Sequence, residues 1–324
     1  MCTAITFRAD DFYFGRTLDM EFSYPQTVTF MPRNFELTFR NGTVLKNHYS
    51  VIGMAYVADD YPLYFDGINE KGLAAAGLNF VGNACYSQTV SGRDNIAQFE
   101  FIPLILAQCS NVGEAKHLLE RINITDTPFS EQLPPAELHW IIADRNEAIT
   151  VEAVKEGLRI YRNEVGVLTN NPPFNEQMFN LNNYINLSAN PPTDNFAEGL
   201  KLSQYSRGMG ALGLPGDMSS MSRFVRASFV KLNSVKDNTD ISGVSQFFHI
   251  MGTVNQVDGM CRLGDGSTEK TIYTSCCNAD KGIYYYTAYG NHQISAVDMK
   301  KENPDENKLK CYPLVGREKI YFHN

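Results

Sequence analysis

The residue with the most chemistry in this chain is the cysteine at position 2. Removal of Met1 is expected when a small residue follows it, and the thiol then shares its residue with a free α-amine. An α-amine titrates near about 7.7–8.0 and a thiol near about 8.5. The amine can therefore accept the thiol proton, and the thiolate can attack a carbonyl carbon. Such a nucleophile brings its own base and needs no histidine. Read by itself, the same residue equally suits a small buried side chain on a strand.

The other candidate motifs lack the context their chemistry needs. Gly208-Met209-Gly210-Ala211-Leu212-Gly213 has the GxGxxG form. It follows a polar stretch, residues 201–207, and runs into Leu214-Pro215-Gly216-Asp217 rather than a helix. A dinucleotide site requires strand, turn and helix in that order. No P-loop, HExxH or GxSxG is present. The histidines (His48, His117, His139, His249, His292, His323) are scattered, with no pair at metal-ligand spacing. The seven cysteines are odd in number and contain no CxxC, which argues against a disulfide framework or a zinc site. Adjacent Cys276 and Cys277 read as small buried hydrophobes at a strand end. No metal and no cofactor are expected.

The elements that must position these residues follow from periodicity and turn residues. Short β-branched or aromatic runs predict strands over 3–7, 11–15, 26–31, 35–40, 50–57, 63–65 and 73–78. Helices are predicted over 99–109 and 112–122, with Asn111 as the cap between them. A meander follows, with strands over 138–143, 148–153, 158–162 and 165–169. Residues 175–187 read as a helix, 191–222 as a long loop, and 222–232 and 241–254 as helices. Strands over 270–275, 282–289 and 294–299 end the pattern. Two sheets with helices packed outside them absorb this order in one layered domain covering residues 1–324.

Composition bounds the partners. Thirty-six acidic against 28 basic residues leave a net charge of −8, so no basic surplus exists for nucleic acid or an anionic membrane surface. A 43% apolar and 20% charged chain is expected to fold rather than stay disordered. The longest apolar runs, at 72–78 and 101–107, fall far short of the roughly 20 residues of a spanning helix. The first residues meet Arg8, Asp10 and Asp11 without an apolar region, so no signal peptide and a cytoplasmic location are expected.

The start MCTAITF, followed by Phe14-Gly15-Arg16-Thr17-Leu18-Asp19, resembles the choloylglycine hydrolase family. That family holds bile salt hydrolases and penicillin V acylases and belongs to the N-terminal-nucleophile hydrolases. Ordered matches continue through Asn69-Glu70-Lys71-Gly72-Leu73, Ala76-Gly77-Leu78-Asn79-Phe80 and Leu138-His139-Trp140. Further on come Val167-Leu168-Thr169-Asn170-Asn171-Pro172, Ser222-Arg223-Phe224-Val225-Arg226 and Lys281-Gly282-Ile283-Tyr284-Tyr285-Tyr286. The resemblance implies an α+β fold, a four-layer αββα sandwich with two antiparallel sheets between helix layers. It implies a homo-oligomer, a tetramer, from a gut bacterium.

By resemblance, Cys2 is the nucleophile and its α-amine the general base and acid. Arg16 and Asp19 stand beside it: a guanidinium favours the thiolate, and a carboxylate can hold the amine. Asn79 would donate to the oxyanion, and Asn170 and Arg223 complete the catalytic set. Asn79 and the run from Arg207 to Asp217 resemble the bile salt hydrolase subgroup, since many penicillin V acylases carry tyrosine at the asparagine. The implied substrates are glycine- or taurine-conjugated bile salts, cleaved at the amide through a thioester. Positions aligned with the steroid contacts are apolar: Leu18, Ala58, Phe65, Phe129 and Leu133. Arg207 would pair with the sulfonate or carboxylate of the conjugate. Penicillin V acylase activity is the alternative within the family. A non-catalytic binding protein is the alternative outside it, should Cys2 stay blocked.

Overall fold

The segment Phe12–Met20 is buried on both faces for almost its whole length. A strand of this kind belongs between two covering layers, and the computed structural model, which describes residues 1–236 and 239–324, supplies both. In chain order the first strands are β1 (Cys2–Arg8), β2 (Phe12–Met20), β3 (Thr27–Met31), β4 (Leu37–Thr38), β5 (Val44–Leu45), β6 (Val51–Ala58), β7 (Tyr61–Asn69), β8 (Ala74–Asn79) and β9 (Asp94–Ala97). After α1 (Phe101–Gln108) and α2 (Val112–Leu119) come β10 (Ile122–Thr125), β11 (Leu138–Ala143), β12 (Ala148–Val154), β13 (Gly157–Arg162) and β14 (Val167–Leu168). The helices α3 (Phe174–Asn180), α4 (Ser220–Asn233) and α5 (Asp240–Gly252) precede β15 (Cys261–Arg262), β16 (Thr268–Asn278), β17 (Ile283–Ala288), β18 (Asn291–Asp298) and β19 (Lys310–Pro313).

Two large sheets result. One runs β14-β1-β2-β16-β17-β18, with β15 on β16; the other runs β13-β12-β11-β8-β7-β6-β3-β19. Neighbouring strands in both are antiparallel. The sheets face each other where β1 meets β8 and β2 meets β7. α4 and α5 cover the outer face of the first sheet, and α1 covers the second. One buried cluster joins Phe14 and Ile141, from opposite sheets, to Phe224 and Phe247 of α4 and α5. A second joins Ile102 and Ile105 of α1 to Trp140 and Val151. Each fully buried aliphatic or aromatic side chain contributes about 1.5–3 kcal/mol. The order of layers is α, β, β, α, as expected. No helix among the described residues is long and apolar enough to cross a membrane.

The differences from expectation have physical causes. The strand expected to end at Gly15 continues to Met20. Glycine reads as a turn, but here it lets β2 close on β16: a Cβ at Gly15 would lie 2.1 Å from the Ser275 carbonyl oxygen. β16 likewise extends from Thr268 to Asn278, beyond the expected 270–275. The helix expected over 175–187 stops at Asn180 and tightens into a 3-10 turn over Leu181–Tyr184. Residues 35–40 form only the two-residue strand β4. The sequence showed no sign of the parallel β9–β10 pair or of β19 on β3. The GxGxxG run forms a loop with one 3-10 turn at Met209–Ala211 and no strand before it.

Candidate active site

β1 and β2 pair Cys2 with Leu18 and Ala4 with Arg16. Side chains alternate along strands, so Cys2, Arg16, Leu18 and Met20 share the face that looks toward the second sheet. Arg16 crosses that gap. Its Nη1 donates to the Gly77 carbonyl at 2.5 Å and the Phe65 carbonyl at 3.2 Å. Its Nη2 donates to Cys2 Sγ at 2.5 Å, and Nε donates to the Thr17 carbonyl at 3.1 Å. Burial opposes the charge of Arg16, yet Cys2, Tyr273 and Asp66 raise its pKa above the ordinary guanidinium value. Asp66 lies fully buried behind it and accepts from the phenols of Tyr273 at 2.7 Å and Tyr284 at 2.6 Å. Burial raises the Asp66 pKa, against the pull of Arg16 and the two phenols.

Arg223 reaches the same centre from α4. Nη1 donates to the Cys2 carbonyl at 2.5 Å and Thr3 Oγ1 at 2.6 Å, and Nη2 donates to Asn170 Oδ1 at 2.7 Å. Burial lowers its pKa. The helix start that carries Arg223 is held by Asp217, which accepts from Ser219 N–H at 2.9 Å and the Ser222 hydroxyl at 2.6 Å. Those hydrogen bonds lower the Asp217 pKa to about 2.

Asn170 is the hub. Its Oδ1 also accepts from the Cys2 N–H at 2.8 Å, and its Nδ2 donates to the Asn79 carbonyl at 2.8 Å. Its backbone is fixed by Ser220 Oγ at 2.8 Å and Gln177 Nε2 at 2.6 Å. Asn79 Nδ2 meets only the weak acceptor Met20 Sδ, at 4.0 Å, among the described residues. It is therefore free to donate into the space beside Cys2.

Asp19 sits on the other face of β2 from Arg16. Its carboxylate accepts from the hydroxyls of Thr17 at 3.0 Å and Thr271 at 2.6 Å, and the Cys2 nitrogen is held by Asn170 instead. The backbone of Asp19 pairs with Met1: the Met1 ammonium donates to the Asp19 carbonyl at 2.7 Å, and the Asp19 N–H donates to the Met1 carbonyl at 2.9 Å. The ammonium also pairs with Glu269.

A cavity of about 510 Å³ opens on Cys2, Arg16 and Asn79. This size suits a small-molecule ligand. Leu18, Phe65, Phe129 and Leu133, aligned by resemblance with steroid contacts, line it. Ala58 and Arg207 do not. β6 ends at Ala58, which pairs with Tyr61 across a turn through Asp59 and Asp60, both at positive φ. Tyr56, two residues earlier on the same face, lines the cavity in its place. Arg207 is exposed on the long loop. The sequence reading missed Met20, Phe22, Tyr24, Leu63 and Phe99, which also line the cavity. Met20 falls on the extension of β2 and Leu63 lies two residues before Phe65 in the strand already expected, so period-two alternation along both strands would have found them.

Comparison with known proteins agrees with this geometry. The family model for linear amide C–N hydrolases, choloylglycine hydrolase family, matches residues 2–312. A bile salt hydrolase/transferase of Lactiplantibacillus plantarum is 52% identical over 324 residues, all of both chains. The crystal structure of a mutant conjugated bile acid hydrolase from Clostridium perfringens superposes with a TM-score of 0.93 at 40% identity, covering 100% of each chain. A penicillin V acylase structure from Agrobacterium tumefaciens gives a TM-score of 0.77 at 20% identity, over 96% of this chain and 90% of that one, and so shares the fold. A buried cysteine at the head of β1, a guanidinium on its sulfur and full-length similarity of this order have one meaning: the chain belongs to the choloylglycine hydrolase family of linear amide C–N hydrolases.

Proposed function

We propose that this chain hydrolyses the amide bond of glycine- or taurine-conjugated bile salts, with Cys2 as an N-terminal nucleophile. The observation that carries the reading is the cavity, whose wall is mostly apolar and aromatic and also holds Cys2, Arg16 and Asn79. A steroid needs such walls, and the reacting amide needs such polar groups. The two bile acid hydrolases named above, similar along their full lengths, support the same substrate class. Leu18, Phe65, Phe129 and Leu133 are assigned to the steroid, and Arg207 is not assigned to the conjugate.

The reaction follows from the placement of atoms. The reading requires Met1 to be removed, so that the Cys2 nitrogen becomes an amine at the position fixed by Asn170. The amine takes the thiol proton, and Arg16 stabilises the charge on sulfur. Sulfur attacks the amide carbon, and Asn79 Nδ2 donates to the oxyanion. The C–N bond breaks as the α-ammonium protonates the departing nitrogen of glycine or taurine. Water, deprotonated by the same amine, then cleaves the thioester to release the free bile acid and the thiol. Asp19 acts through the two threonine hydroxyls its carboxylate holds rather than on sulfur, and its backbone N–H and carbonyl lose their Met1 partners when Met1 is removed. Residues 1–324 form one domain in this reading, because β1 shares a sheet with β16 and β3 shares one with β19. The protein is assigned to the cytoplasm as a homo-oligomer, a tetramer by family resemblance.

The test uses Met1-free protein with glycocholate, taurocholate and penicillin V side by side. Release of glycine or taurine well above penicillin turnover is expected, with none from Cys2→Ala. Asn79→Ala is expected to lower kcat by about 10²-fold, the cost of one oxyanion donor. Penicillin cleavage alone would overturn the substrate assignment.

A further inference from the structure

Behind the two asparagines lies a buried acid–base pair that no step above uses. His139 on β11 and Glu152 on β12 are both 0% exposed. The register pairs Trp140 with Val151, so His139 and Glu152 meet one position further along. His139 Nε2 lies 2.9 Å from the Thr169 carbonyl oxygen, and Nδ1 lies 3.1 Å from Glu152 Oε1. A carbonyl oxygen only accepts, so Nε2 carries a proton. Nδ1 faces a carboxyl oxygen, so a second proton lies between those two atoms. Glu152 Oε1 also accepts from the Phe174 N–H at 3.0 Å. The imidazole stacks on Phe80, with 4.3 Å between centroids and 8° between planes.

Each contact ends next to the site. Thr169 precedes Asn170, Phe80 follows Asn79, and Phe174 closes the far end of the turn that carries Asn170. A buried ionisable pair is rarely the most stabilising filling for a core, since apolar residues of equal volume often do as well or better. We propose that His139 and Glu152 are positioning residues that fix Asn79 and Asn170 relative to Cys2, by holding the Thr169 carbonyl and Phe174 N–H on the Asn170 side and the Phe80 ring on the Asn79 side. The proposal deepens the hydrolase reading and rests on it. The proton shared between Nδ1 and Glu152 Oε1 leaves Nε2 as the donor, so His139 holds Thr169 while it faces the carboxyl group. Reacting groups misplaced by about 1 Å lose on the order of 10²-fold in rate, which is the effect such a grip would prevent.

Three variants separate the contacts. His139→Phe keeps the stack on Phe80 and loses the donor to Thr169. His139→Gln keeps a donor near the Nε2 position and loses the stack. Glu152→Gln preserves volume and removes the carboxyl group. The measurements are kcat and KM for glycocholate, per folded enzyme, and hydrogen–deuterium exchange over residues 74–84 and 165–174. His139→Phe and Glu152→Gln are expected to lower kcat by about 10- to 100-fold with KM changed less than about threefold, and to raise exchange in those two segments. His139→Gln is expected to recover part of the kcat lost in His139→Phe. Unchanged kcat in Glu152→Gln, even with a lower melting temperature, would overturn the proposal and leave the pair as a core element. Should His139→Phe fail to fold, Glu152→Gln decides. A wild-type enzyme that released no glycine would overturn the substrate reading instead. Exchange confined to the two segments would still support the grip, and unchanged exchange would overturn it.

Discussion

Arg16 is buried with no carboxylate in direct hydrogen-bond contact among the described residues; its guanidinium meets three carbonyl oxygens and the Cys2 sulfur. Removing a guanidinium from water costs several kcal/mol unless the interior replaces that hydration. Here carbonyl dipoles do so, and Nη2 is left to donate to sulfur while Asp66 lies behind the guanidinium. Arg16→Gln is therefore expected to slow alkylation of Cys2 by iodoacetamide and to lower kcat/KM by about 10²-fold or more. Wild-type alkylation and turnover would remove Arg16 from the site's chemistry. At this scale the sequence was informative about Cys2, whose thiol and amine share one residue. Arg16, Asn79, Asn170 and Arg223 became legible only through family resemblance, because each approaches Cys2 from a different element. Asp66, His139 and Glu152 had no signature, since a buried carboxylate or imidazole looks in sequence like any surface one.

The element that shapes the cavity is the connection between β10 and β11, which brings Phe129 and Leu133 to its wall. Arg40 ties this connection down from outside. Its Nη2 donates to the Phe129 carbonyl at 2.7 Å, and its guanidinium lies over the rings of Phe129 at 5.2 Å and Phe99 at 5.6 Å. The backbone of Arg40 is held in turn by Glu100 Oε1 at 2.6 Å. An exposed cation over an aromatic ring contributes about 0.5–1 kcal/mol. Arg40→Ala is thus expected to raise KM for glycocholate about 3- to 10-fold, allowing for the lost hydrogen bond. Its kcat should stay near wild type, because the thiol and its partners are untouched. A fall in kcat at constant KM would mean that the connection does more than bound the pocket. Element boundaries were the least legible layer of the sequence. The strand expected to end at Gly15 runs on through it to Met20, and only the approach of Ser275 explains why glycine is required there.

For the whole molecule, the alternation of strand and helix groups was enough to imply layers, since each amphipathic group needs a face to cover. The β9–β10 pairing and the return of β19 to β3 escaped notice because they join segments distant in sequence by backbone bonds that carry no side-chain signal. The surface carries a further message. Ile185 and Tyr205 are each 82% exposed and Phe196 is 77% exposed, all within the long connection between α3 and α4. Exposed apolar groups on one segment suit the homo-oligomer proposed above. Ile185→Asp with Tyr205→Asp is expected to shift the sedimentation coefficient toward that of a 36 kDa monomer while leaving the thiol site assembled. A wild-type protein that already sediments as a monomer would discard the homo-oligomer reading.

The hydrogen bond from Arg223 to the Cys2 carbonyl spans 221 residues of chain, and that from Cys2 to Asn170 spans 168. Closing loops of this length is slow, because their entropy is lost before the contacts reward it. Catalytic competence should therefore arrive last when the denatured protein is returned to native buffer. Far-ultraviolet circular dichroism should recover first, with turnover lagging behind it. No fragment that ends before α4 keeps the Arg223 contact to Cys2, so proteolytic nicking followed by loss of the α4 half should silence the enzyme, although the second sheet loses only β19.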